Sequence, residues 1–168
     1  MKAQQALISA VCLGALLPLG VVSAEAELKA ALLYRFVQFS QWSQQAPAAQ
    51  LYCVAGDQQV FAALQALLQQ SGGQNNDKTR LLANVKDGSA CTVLYMSDSM
   101  VKQSQWHTLL RQKGQLTVVE GAELFRKGAH FGLIAEPNRI SFRVNLTQAR
   151  EQGFHFSAQM LKLAKEIH

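Results

Sequence analysis

Leu51-Tyr52-Cys53-Val54-Ala55-Gly56-Asp57 is an unbroken apolar run closed by a glycine and an aspartate. Such a run is short for a helix and reads as a strand covered on both faces. Gly56-Asp57 turns the chain, and Asp57 can cap the helix that follows through Val60, Phe61, Leu64, Leu67 and Leu68. The same unit then recurs. Cys91 to Met96 is a second buried strand, and Ser97-Asp98 caps a helix carrying Val101, Trp106, Leu109 and Leu110, ended by Gly114. Leu116 to Val119 gives a further strand, and Ala122 to Arg126 a single helical turn. Strands alternating with helices predict an α/β fold in three layers, a mostly parallel sheet with helices on both faces.

Upstream of this unit, Leu28, Leu32, Phe36 and Phe39 fall at helical spacing and predict an amphipathic helix over 27–42. Gln44 to Ala49, with Pro47, breaks it. Downstream, Ser71 to Thr79 (SGGQNNDKT) reads as a surface loop, Leu81 to Val85 as a short strand and Lys86-Asp87-Gly88-Ser89 as a turn. His130 to Ala135 and Ile140 to Val144 flank Glu136-Pro137-Asn138-Arg139 and form a C-terminal antiparallel hairpin. Leu146 to Gln152 is a short helix stopped by Gly153. Met160, Leu161, Leu163, Ala164 and Ile167 define a last amphipathic helix, with Ser157 as its cap.

The 168 residues are 49% hydrophobic and 16% charged, which excludes a disordered chain and fits one domain. Gly 11, Pro 3 and Cys 3 exclude a collagen-like or disulfide-dense framework. Residues 1–24 have the three parts of a secretory leader: Lys2, an apolar run from Ala6 to Val22, and small residues before cleavage after Ala24 or Ala26. Residues 25–168 then form a single exported domain. Loss of residues 1–24, which carry one lysine and no acid, takes +5 on 168 residues to +4 on 144. The remaining lysines and arginines are scattered and no stretch is apolar enough to span a bilayer. Neither nucleic-acid binding nor membrane insertion is expected.

Cys53 and Cys91 lie in or beside apolar strands, where they are either a disulfide or two buried thiols. No histidine stands at ligand spacing from either, so no metal site is expected. Asp57, Ser97 and Glu120 each follow a strand; with parallel strands they share one sheet edge, where open α/β folds hold ligands. The plainer use of Asp and Ser there is as helix caps. Asn145-Leu146-Thr147 is a glycosylation sequon or, as readily, the cap of the next helix. No nucleophile–base motif and no phosphate loop is present, so neither an enzyme nor a cofactor is indicated.

Three segments carry a family resemblance. Leu28-Lys29-Ala30-Ala31-Leu32-Leu33-Tyr34-Arg35-Phe36-Val37-Gln38-Phe39-Ser40-Gln41-Trp42 resembles the opening helix of the YfiR family. Cys53-Val54-Ala55-Gly56-Asp57 and Cys91-Thr92-Val93-Leu94-Tyr95-Met96-Ser97 are similar to its first strand and its later, cysteine-led strand. The stretch from Arg139 through Asn145, Ala149-Arg150 and Ser157 to Ala164 is similar to its closing signature. The resemblance implies a periplasmic, usually dimeric protein that represses an inner-membrane diguanylate cyclase by binding its periplasmic region. Cyclic di-GMP, and with it biofilm and exopolysaccharide, would fall. It also implies a core disulfide between Cys53 and Cys91; a second cysteine pair found in some members has no counterpart here. Phe39 and Trp42, at the end of the first helix, are the candidate partner-binding residues. The alternative of another class is a periplasmic solute-binding module for a sensor or transporter, using Asp57, Ser97 and Glu120.

Overall fold

Ala26, Ala30, Leu33, Phe36 and Val37 turn one face of helix α1 (Ala24–Gln38) into the core. Ser23 starts it, its hydroxyl accepting from the Ala26 amide at 3.1 Å. The computed structural model describes residues 22–44, 47–71 and 76–168. Most of the leader assigned to residues 1–24, and positions 72–75 of the polar loop, lie outside the described residues.

The helix expected over 27–42 stops at Gln38. The Ser40 hydroxyl donates back to the Phe36 carbonyl at 2.6 Å, and Ser40–Trp42 becomes strand β1. The strand read from the sequence follows as β2 (Leu51–Ala55), and Asp57 caps α2 (Gln58–Gln70) by accepting from the Gln59 and Val60 amides. Strand β3 is Lys78–Leu81, earlier than the expected 81–85. A 3-10 segment, Val85–Ala90, replaces the expected turn and leads to β4 (Val93–Met96). The α-helix expected from Ser97 is instead two 3-10 segments, Asp98–Met100 and Ser104–Arg111, and the Ser97 side chain caps neither. Then come β5 (Leu116–Glu120), α3 (Ala122–Arg126) and the hairpin β6 (Phe131–Glu136) and β7 (Arg139–Val144).

Asn145 caps α4 (Leu146–Glu151), its side chain accepting from the Gln148 amide. Strand β8 (Phe154–Phe156) was not expected from the sequence. The expected last helix is only α5 (Ala158–Leu161), capped by Ser157. The Lys165 amide then bonds to the Phe142 carbonyl, and the chain joins the sheet as β9 (Glu166–Ile167).

The main sheet has seven strands in the order β3-β2-β4-β5-β6-β7-β9, parallel except for the β6–β7 hairpin. The strands β1 and β8 form a separate antiparallel pair. Side-chain alternation divides the core between the faces. Tyr52, Val54, Val93, Tyr95, Val118, Phe131 and Phe142 pack under α1 and α2; Cys53, Ala55, Leu94, Met96 and Val119 face the 3-10 segments and α3. Phe36 is the principal contact of α1, stacked on Phe131 at 4.2 Å between centroids and edge-on to Phe142 at 4.9 Å. No helix among the described residues is long and apolar enough to cross a membrane.

Candidate functional site

Cys53, at the centre of β2, and Cys91, just before β4, form a disulfide with Cα atoms 5.9 Å apart. The parallel register sets Tyr52 opposite Val93, which brings the residue preceding β4 within reach of β2. Gln115 fixes the approach: its buried amide donates to the carbonyls of Gly88 and Cys91, at 2.7 and 2.9 Å. Both cysteines are sealed in, 0% and 4% exposed.

At the opposite, carboxyl edge of the sheet, the three residues proposed from the sequence take different places. Asp57 is occupied as the cap of α2. Ser97 is buried, its hydroxyl bonded to that of Ser99 at 2.6 Å. The order reverses between β2 and β4, the position at which such sheets commonly open a crevice. Here Gly56, in the left-handed region at φ +82°, lies so close to Ser97 and Ser99 that a side chain on it would collide with both hydroxyls. The turn after β2 therefore packs directly on the turn after β4.

Glu120 has another role. It accepts from the Tyr95 phenol and meets the Lys29 ammonium at 2.6 Å, while Lys29 also reaches Glu25 at 2.7 Å. Burial alone would lower the pKa of Lys29, but the two carboxylates outweigh it and hold the ammonium above its ordinary range. Burial and the Glu120 charge together push the Tyr95 phenol far up, so it remains a donor. This cluster borders a cavity of about 340 Å³ between the start of α1 and the β6–β7 hairpin, lined also by Asp98, Gly121, Ile140 and Arg143. Sequence reading found Glu120 and missed Lys29 and Arg143. The available signal was a lone lysine among the alanines and leucines of α1; nothing local marks Arg143.

Phe39 and Trp42 are both half-buried. Phe39 packs against the core, and Trp42 sits edge-on to Phe154 at 5.3 Å with its indole nitrogen 3.3 Å from the Gly114 carbonyl. They flank the turn from α1 into β1. Near this strand pair, His130 is fully buried. Its Nδ1 accepts from the Thr117 amide at 3.1 Å and its ring lies against Phe154 at 4.8 Å. Burial pushes its pKa down to about 3, so the ring is neutral. No three histidine, cysteine, aspartate or glutamate side chains converge as a metal site among the described residues.

Residues 26–165, from the first turn of α1 to the entry into β9, match the YfiR/HmsC-like family. The chain belongs to the YfiR/HmsC-like family. This is a family of periplasmic regulatory proteins that act through contacts with other proteins in cyclic di-GMP signalling. No protein of curated function matches the sequence. Two solved structures share the fold of this YfiR/HmsC-like chain. One is a conserved domain protein from Vibrio cholerae O1 biovar El Tor, at 10% identity, TM-score 0.53, covering 85% of this chain and 60% of that one. The other is an ABC domain in complex with L-Trp from Streptococcus pneumonia, at 8% identity, TM-score 0.58, with the same coverages of 85% and 60%. The YfiR/HmsC-like chain thus spans 60% of the length of those two chains.

Proposed function

We propose that this chain, exported by cleavage of its leader, represses an inner-membrane diguanylate cyclase by binding its periplasmic region, and does so as a homodimer. Membership of a family of regulators, over residues 26–165, carries this reading. It is supported by a carboxyl edge whose polar groups are spent on one another: a helix cap, a serine pair and a Lys29–Glu120–Tyr95 cluster. Phe39 and Trp42 are the proposed contact residues because they lie together where α1 gives way to β1, half-exposed. Deleting the gene should raise cyclic di-GMP and biofilm, and the purified protein should capture a membrane cyclase. An unchanged cyclic di-GMP level on deletion would remove the reading. Substituting Trp42→Ala should weaken capture without unfolding the chain; undiminished capture moves the contact elsewhere.

The cavity of about 340 Å³ beside Glu120 favours one second reading, a solute-binding module. Its lining of both charge signs suits a small zwitterion, and one protein of similar fold was solved in complex with L-Trp. A thermal shift produced by amino acids and abolished by Glu120→Gln would support it. No shift across a panel of zwitterions would exclude it.

A further inference from the structure

The two edges of the sheet differ in charge. Glu25, Asp57, Asp98 and Glu120 gather at the carboxyl ends of the strands, against Lys29. At the amino ends, Arg111 and Lys113 precede β5, and Arg126 and Lys127 precede β6; all four are exposed. The Arg111 Nε donates to the Lys127 carbonyl at 3.1 Å, which sets the two segments side by side. Lys113 and Gly114 border a surface depression together with Trp42 and Glu151. None of the four cations joins an ion pair among the described residues. Carboxylates also stand on this side, Asp77 ahead of β3, Asp87 in Val85–Ala90, Glu123 on α3 and Glu151 on α4, but Lys78 and Lys86 accompany the two aspartates, so the edge stays net positive.

We propose that this amino edge docks on anionic phospholipid, with Arg111, Lys113, Arg126 and Lys127 meeting headgroup phosphates. The site follows from placement. Long flexible cations along one edge suit a flat charged surface better than a shaped protein pocket. The acidic opposite edge is repelled by the same surface, so the charge asymmetry orients the molecule with its cavity away from the bilayer. The proposal rests on the reading that the chain works at the periplasmic face of the inner membrane. Its test contains no cyclase, so each can fail alone.

The measurement is co-sedimentation of the leader-free chain with vesicles of mixed phosphatidylglycerol and phosphatidylcholine at low salt, against vesicles of phosphatidylcholine alone. Binding is expected only to the anionic vesicles and should decline as salt rises. Each cation near such a surface contributes about fivefold in partitioning, so K113Q/K127Q should weaken binding about thirtyfold with an unchanged melting temperature. Equal partitioning onto neutral vesicles, or no binding to anionic ones, overturns the proposal. An unchanged K113Q/K127Q overturns it too, and leaves the edge to an acidic protein segment.

Discussion

Replacing the disulfide by Cys53→Ala/Cys91→Ala frees a span of 38 residues in the unfolded chain. With n of 38, the loop-closure relation gives an entropy of about 13 cal/mol/K, or about 4 kcal/mol at 25 °C. The folded side adds to this, since two buried sulfurs give way to smaller methyl groups beside Leu94 and Met96. Against a total stability of about 5–15 kcal/mol for a domain, the loss is severe. With a urea slope of about 2 kcal/mol/M, the midpoint should fall by about 2 M. The assay is urea unfolding followed by circular dichroism on the oxidised wild type and the double variant, under identical conditions. A drop below about 0.5 M, with unchanged slope, would show that the unfolded ensemble is not measurably constrained by this bond. A second arm uses the burial of both cysteines. Dithiothreitol should reduce the bond in native buffer only at the rate of chain opening, with maleimide labelling accelerated by sub-denaturing urea. Rapid reduction of the folded protein would refute the sealed geometry.

Three further outcomes are expected. His130 has a folded pKa near 3 against an ordinary 6.5, so the unfolded chain takes up the proton first and stability falls as pH drops from about 6.5 towards 3; His130→Leu should flatten the acid side of a urea-midpoint profile. Phe36→Ala should cost about 3–5 kcal/mol, read from the thermal or urea midpoint, because it empties the stack against Phe131. Asp57→Ala should cost about 1 kcal/mol in urea unfolding, since it strands the Gln59 and Val60 amides, while Asp57→Ser should recover most of that loss.

The elements legible in the sequence were those specified by their own residues. Strand β2 with its Asp57 cap, the β6–β7 hairpin around Pro137-Asn138, and α4 behind Asn145 are each set by a local run and a local signal. The misread elements depend on distant partners. Phe39 and Trp42 continue a helical apolar pattern, but β8 takes Ser40–Trp42 as a strand. Lys78–Leu81 has no apolar alternation and is a strand because β2 pairs with it. Leu163 and Ile167 fit a helix, yet the bond from the Lys165 amide to Phe142 ends that possibility. The site divides in the same way. Polar residues after strands could be read directly, whereas the pairing of Glu120 with a lysine from α1 is made by the packing of α1 on the sheet.

The pairing of β1 with β8 bears on the timing of folding. Ser40 registers against Phe156, so a chain delivered amino end first presents β1 more than a hundred residues before its mate arrives. The strand pair, and the docking of α5 and β9 behind it, can close only after nearly the whole length has emerged. Cys53 and Cys91 emerge well within that interval, before Asp98–Met100, Ser104–Arg111 and α3 can cover them. With the export proposed above, oxidising enzymes would meet both thiols while they are still accessible, and completion of the chain would lock in a bond already made.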